Sequence, residues 1–261
     1  MSLFNPERFR LTVQPDRMQL ETRTGRKPWQ VIGDSPYSQL TTSSNLTPRL
    51  QQLLSTHLPR GRKLFIVVSD QVARYFMVNP PKKVGSFKDL KTIAELRFST
   101  LFGSKSSEWI MQADWAIDRP FIACALPRDR VDSILRVLKA GNWFSQGMVP
   151  ESIAIWNAQS SSLRDHSAWF ARITDQHTLF AACVDGRIQQ VSTWKGETLT
   201  SAEQLKPILM REALRWDCSL PGTLYLNSNA SSHMLNWNGK RIGETNLVTL
   251  NIESHGMGSF S

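Results

Sequence analysis

A chain of 261 residues, 41% hydrophobic and 20% charged, can bury a full core as one large domain or two modest ones, which excludes a wholly disordered protein. Its formal charge of +9 suits acidic partners: nucleic acid, an anionic membrane face or an acidic protein. The basic residues fall in short groups, Arg23/Arg26/Lys27, Arg60/Arg62/Lys63, Lys82/Lys83 and Lys240/Arg241, each of which reads first as solvated surface rather than as a basic tail.

Residues 9–14, 17–23 and 28–32 read as three short strands joined by tight turns at Pro15-Asp16 and Gly25-Arg26. A polar loop over 33–46 leads to a helix with Thr47 as N-cap, Pro48 at its first position and Leu50, Leu53, Leu54 and Leu58 on one face. The apolar run 64–68 fits a strand covered on both faces. A further strand is expected over 72–78. Ser86-x-x-Asp89 opens a helix to about Leu101, closed by Gly103. Segments 108–117 and 120–126 pair around Asp118-Arg119, and Pro127 opens a helix carrying Val131, Ile134, Leu135 and Leu138. A short helix is expected over 150–157 and a polar linker over 158–166. Beyond it come two strands, an Asp185-Gly186 hairpin turn, a helix capped by Ser201-x-x-Gln204 with Leu205, Leu209, Ala213 and Trp216, and a strand-like 247–252.

The two ends of the chain repeat each other. Phe9-Arg10-Leu11-Thr12-Val13 with its Pro15-Asp16 turn matches Trp169-Phe170-Ala171-Arg172-Ile173 with its Asp175-Gln176 turn, and Leu64 matches Leu224, both at an offset of 160. A duplicated α/β unit is predicted, against the alternative of two unrelated α/β stretches aligned by chance. Its core is expected to hold Leu53, Leu54, Val67, Leu135, Ile173 and Leu209. Cys124, Cys183 and Cys218 lie in or beside apolar runs, as buried free thiols of a reducing compartment. No apolar run approaches the roughly 18–20 residues that span a bilayer, and residues 1–8 lack the apolar stretch of a secretory signal. A cytoplasmic location is expected, peripheral to an inner membrane if the charge meets lipid.

Two lobes that each begin with a three-stranded meander, then helix and strand, follow the plan of the actin-like ATPase superfamily. Within it the chain resembles the PilM and GspL type of bacterial type IV pilus and type II secretion machines. The likeness rests on Phe65-Ile66-Val67-Val68-Ser69-Asp70, Val72-Ala73-Arg74-Tyr75-Phe76-Met77-Val78, Asp89-Leu90…Glu95-Leu96-Arg97-Phe98 and Ile122-Ala123-Cys124-Ala125-Leu126-Pro127-Arg128, and covers roughly 9–230. It implies an α/β chain of duplicated actin-like (ribonuclease H-like) lobes. The first would span 1–160 with an inserted α+β subdomain over about 72–126, and the second, reduced, 167–261. ATP-using members hold phosphate in glycine-bearing turns, where backbone N–H groups can close on it. Here Pro15 has no N–H to give, Gln14 stands near the place of an acidic Mg²⁺ helper, and 173–178 and 227–232 contain no glycine. The implied relative is nucleotide-free, with no cofactor and no catalysis.

Asp16 and Asp175 read as turn formers rather than catalytic remnants. His57, His166, His177, His233 and His255 show no metal-ligand spacing, and neither a G-x-S-x-G elbow nor a P-loop is present. The function expected is a cytoplasmic assembly scaffold that binds a peptide or cytoplasmic segment of an inner-membrane protein. The partner surface is placed on the middle subdomain at Arg74, Tyr75, Lys82, Lys83, Arg97, Trp109 and Trp115, the alternative being that its aromatics are internal packing. Trp143 and Phe144 carry the same pair of readings. The rival functions are a diverged actin-like ATPase or sugar-kinase-like enzyme and a basic nucleic-acid binder. The latter needs a single positive stripe that the sequence does not display.

Overall fold

The computed structural model describes residues 7–25, 27–37, 43–163, 167–175, 177–196, 199, 201–228 and 240–250. Its strands are β1 (Glu7–Val13), β2 (Arg17–Thr24), β3 (Gln30–Pro36), β4 (Lys63–Val68), β5 (Arg74–Val78), β6 (Trp109–Ala113), β7 (Phe121–Pro127), β8 (Phe144–Pro150), β9 (Ala168–Ile173), β10 (His177–Val184), β11 (Arg187–Lys195), β12 (Thr223–Ser228), β13 (Arg241–Ile242) and β14 (Thr245–Thr249). Its helices are α1 (Ser43–His57), α2 (Phe87–Phe102), α3 (Arg128–Ala140), α4 (Glu151–Leu163) and α5 (Ala202–Arg215). They build three sheets, ordered β3-β2-β1-β4-β8, β11-β10-β9-β12-β14-β13 and β5-β7-β6.

The first two sheets are copies of one plan. β1 pairs antiparallel with β2 and parallel with β4, with Phe9 opposite Leu64. β9 pairs in the same way with β10 and β12, with Trp169 opposite Leu224. The meander turns close alike, Gln14 N–H donating to the Arg17 carbonyl and Thr174 N–H to the His177 carbonyl, both at 2.9 Å. β1, β2 and β4 therefore hold the predicted offset of 160 against β9, β10 and β12, while part of β3 matches β11 at 159. The helices slip by one residue: buried Leu46, Leu50 and Leu54 of α1 correspond to Leu205, Leu209 and Ala213 of α5, and Glu212 stands where α1 has Leu53.

Each large sheet buries one face under its own helices, and Phe170, Leu179 and Ala181 of the second sheet join the first lobe's core. Phe9, Leu11 and Val13 alternate inward on β1 under α1 and α3, where Leu50, Leu54, Ile134 and Leu138 meet Leu64 and Ile66. On the second sheet α5 packs Leu205 and Leu209 against Trp169, Leu224 and Leu247. The small sheet has α2 on one side, where Phe76, Phe98 and Phe121 share a core. The α2 limits are those the sequence signals. Ser86 Oγ accepts the Asp89 N–H at 3.2 Å, and Gly103 ends the helix at φ 62°, a conformation that glycine adopts without a Cβ penalty. Asp185 and Gly186 both have positive φ, as a two-residue hairpin turn requires.

Several expectations are corrected. β3 runs to Pro36 and α1 begins at Ser43, so Thr47 is not its N-cap and Pro48 lies inside it. The expected linker at 158–166 is helical as far as Leu163, because Ile155 and Gln159 are buried and carry α4 onward. β8 has no counterpart among the expected elements. Its Gly147 and Pro150 are poor strand formers, and its parallel pairing with β4 supplies what propensity does not. Leu135 is 42% exposed, since the buried arc of α3 turns through Ser133, Val137, Ile134 and Leu138 and leaves Leu135 beyond its edge. Cys218 is exposed and Cys124 half-buried, and only Cys183 is buried outright. The described part of 247–252 is strand to Thr249. Arg26, Gln176, His166, His233, His255 and 229–232 lie outside the described residues.

Truncation of Leu54 or Leu209 to Ala is expected to cost about 2–5 kcal/mol in chemical denaturation. Leu135→Ala is expected to stay within about 0.5 kcal/mol, as exposed positions do.

Candidate functional site

The C-terminal ends of β4, β8, β9 and β12 meet between the two large sheets. Parallel strands delivered side by side make such ends the natural crevice of an α/β fold. Asp70 follows β4, Glu151 and Ser152 open α4 directly after β8, and Arg172 and Asn227 project from β9 and β12. Arg172 is wholly buried. Its Nη2 forms an ion pair with Glu151 Oε1 at 2.5 Å, its Nε lies 4.0 Å from Asp70 Oδ2, and its Nη1 donates to Asn227 Oδ1. Asn227 in turn donates to the Leu250 carbonyl at 2.9 Å.

Asp70 is also the cap of α4. It accepts the Ser152 N–H at 3.0 Å and the Ser152 hydroxyl at 2.6 Å, and Tyr75 donates its hydroxyl to the same carboxylate. An anion at a helix N-terminus is favoured by the free N–H groups there. Here that anion is a side chain of the protein. Burial and the Asp70 charge push the Tyr75 phenol well above its usual value, so it remains a donor. Burial also raises the Glu151 carboxyl against the pull of Arg172. His177, at the start of β10, is buried and held below its usual range by burial, with Asp70 drawing it the other way.

Beside this cluster opens a groove of about 730 Å³. The small sheet turns Phe76, Phe121 and Ala123 toward α2, and presents Ile110, Ile122 and Leu126 on its other face. Across the gap stand Ile153 and Trp156 of α4 and Ile188 of β11, with Arg119, Arg187 and Asp114 also lining it. The groove thus has an apolar floor, charged positions of both signs and walls from both lobes and the insertion. Cys124 also lines it, its thiol pushed up to about 12 by burial, which keeps it protonated and unreactive.

The seven residues expected to bind a partner do not form one surface. Tyr75 is a correction: it is buried on Asp70 and cannot face a partner. Arg74 lies over the rings of Phe102 and Trp109, at 5.9 and 5.7 Å. Trp115 packs on Phe87 and Phe121. Lys82, Lys83 and Arg97 are exposed. None of the seven lines the groove. Trp143 is buried and donates to the Leu58 carbonyl at 3.2 Å, whereas Phe144 is exposed. Asp16 and Asp175 are exposed at their turns. Sequence reading missed Glu151, Arg172 and Asn227. The one signal available was a charged residue, Arg172, inside an otherwise apolar strand.

Removal of the Arg172 charge by Arg172→Met leaves two buried carboxyls unmatched, and a loss of about 3–5 kcal/mol is expected in denaturant unfolding. The lowered His177 pKa means that the unfolded chain binds the extra proton first. Its contribution to stability is therefore full above about pH 6.5 and declines as pH falls toward the folded value. Calorimetric melting between pH 7 and 5 should show this decline in the wild type and a flatter profile in His177→Gln.

No family model matches the chain, and no curated protein matches it in sequence. Solved structures do match. A chain of the PilM–PilN type IV pilus biogenesis complex superposes with a TM-score of 0.61 at 13% identity, over 95% of this chain and 89% of the other. The cytoplasmic domain of EpsL, an inner-membrane component of the type II secretion system of Vibrio cholerae, gives 0.57 at 10% identity, over 94% and 91%. A Bacteroides thetaiotaomicron protein with an actin-like ATPase fold and unknown function gives 0.54 at 10%, over 87% and 84%. With its duplicated sheets and inserted small sheet, the chain has the actin-like ATPase fold, in a form similar to these pilus and secretion proteins.

Proposed function

We propose that this chain is a non-catalytic assembly protein of a bacterial type IV pilus or type II secretion-like apparatus, and that its groove holds a segment of an inner-membrane partner. The observation that carries the proposal is the groove of about 730 Å³ between the inserted sheet, α4 and β11. Its floor of Ile110, Leu126, Ile153, Trp156 and Ile188 suits apolar side chains of a bound segment, and Arg187 and Asp114 suit its polar groups. The likeness to the PilM–PilN complex and to EpsL supports the setting.

The absence of catalysis rests on the cleft between the lobes. Where a phosphate and its metal would need free donors and glycine-bearing turns, the described residues offer Pro15 and a guanidinium already held by Glu151 and Asn227.

Capture from a bacterial inner-membrane extract, with mass spectrometry, should return a membrane protein with a cytoplasmic segment. Titration of that segment as a synthetic peptide should lose at least tenfold in affinity in Ile188→Glu, a variant whose folding is checked by its melting curve because Ile188 also packs on the core. Titration with Mg²⁺–ATP should give no binding heat. A micromolar, Mg²⁺-dependent ATP site would replace this reading with that of a diverged ATPase, and equal peptide affinity in Ile188→Glu would remove the groove from it.

A further inference from the structure

The parallel strands β1, β4 and β8 begin at the same end of the first sheet, away from the cleft, and β2 ends there. That end gathers charge. Arg8, Lys27, Arg60, Arg62, Lys63 and Lys139 are exposed there, and Glu7 is the one exposed acid among the described residues of these strand and helix ends. The register joins them: Arg8 faces Arg23, Phe9 faces Leu64, and Lys63 faces Phe144. The sequence scatters these residues over more than a hundred positions, so the patch emerges only on folding.

Two rings sit among the charges. Phe144 is 48% exposed at the first position of β8. Trp29 is half-buried, with the guanidinium carbons of Arg10 and Arg23 at 4.4 and 4.7 Å from its ring. Arg10 is matched by a bidentate bond to Glu21 at 2.6 Å, but Arg8 has no counterpart of that kind among the described residues, and Arg8 and Arg10 both depress the Arg23 pKa after burial does. Excess positive charge beside an exposed aromatic ring is the chemistry of a surface that rests on anionic headgroups, with the ring at the interface. Nucleic acid fits less well. A single strand needs a groove with successive open aromatic faces, whereas this end is built from strand starts and turns.

We propose that this end of the first lobe docks on an anionic lipid surface. The proposal builds on the groove reading above, because β8 links the two places: Phe144 lies at the lipid end, and Met148 and Pro150 line the groove. Met148 and Pro150 stand four and six residues along β8 from Phe144, so at about 3.3 Å each, with β8 upright on the membrane, the groove opens roughly 13–20 Å above the bilayer. A partner that leaves the membrane must then span that height with about four to six extended residues before it enters the groove.

Vesicle flotation at 0.1 M salt tests the docking. With 30% phosphatidylglycerol in phosphatidylcholine, the chain should float with the vesicles, and pure phosphatidylcholine or 0.5 M salt should abolish this. Arg62→Glu with Lys63→Glu should lower the partition at least tenfold without moving the melting temperature, while Lys82→Glu with Lys83→Glu on the insertion should leave it unchanged. Equal flotation of the Arg62/Lys63 variant, or no flotation of the wild type, would overturn the proposal, as would tighter binding to polyuridine RNA than to the vesicles through the same two residues. Peptide capture by the groove, measured in detergent, is independent of these outcomes, so a failure here leaves the groove reading standing and a failure there leaves this one.

Discussion

A guanidinium buried between two carboxyls sits at the centre of the contact between the lobes, beside an apolar core that Phe170, Leu179 and Ala181 of the second sheet share with the first lobe. Arg172 from the second lobe reaches Glu151 and Asp70 of the first. Both acids also shape α4, since Glu151 is its first residue and Asp70 caps it. Burial of these charges is costly, and their mutual attraction repays it only when the remaining hydrogen-bonding positions are filled. Ser152, Tyr75 and Asn227 fill several of them, while Arg172 Nε, 4.0 Å from Asp70, has no hydrogen-bond partner among the described residues. The groove takes walls from both lobes.

The duplicated plan explains how such a centre can arise. Two copies of one strand order carry equivalent strand ends, and equivalent turns close with equivalent bonds. The copies differ where the centre needs them to. The second lobe supplies the cation and the first supplies the acids. Glu212, which takes the place of Leu53 on the slipped helix, shows that the repeat constrains strand register more tightly than helix content; its carboxylate is met by Arg211 at 2.9 Å.

Much of the fold is legible because it is written locally. The alternation of Phe9, Leu11 and Val13, the cap at Ser86, the stop at Gly103 and the turn at Asp185-Gly186 all act within a few residues. β8 is not legible, since its strand exists only through pairing with β4. The α3 face fails at Leu135 because periodicity gives the arc but not its centre, which packing decides. Of the site, the absence of glycine from the meander turns can be read directly. The ion cluster cannot, because Asp70, Glu151, Arg172 and Asn227 are brought together only by tertiary structure. The partner surface shows the same limit: composition picks out the insertion, while the groove lies on the face of its sheet opposite the one that packs Trp109 and Trp115 on α2.

A charge pair internal to the protein crosses between the lobes, and a double-mutant cycle across it, from Glu151→Gln, Arg172→Met and the combined variant, tests most directly whether it couples them. Unfolding in denaturant should give a coupling energy of about 2–3 kcal/mol, the upper part of the range for residues in contact. A coupling below about 0.5 kcal/mol would mean that the two side chains act independently and that the apolar contact joins the lobes without them.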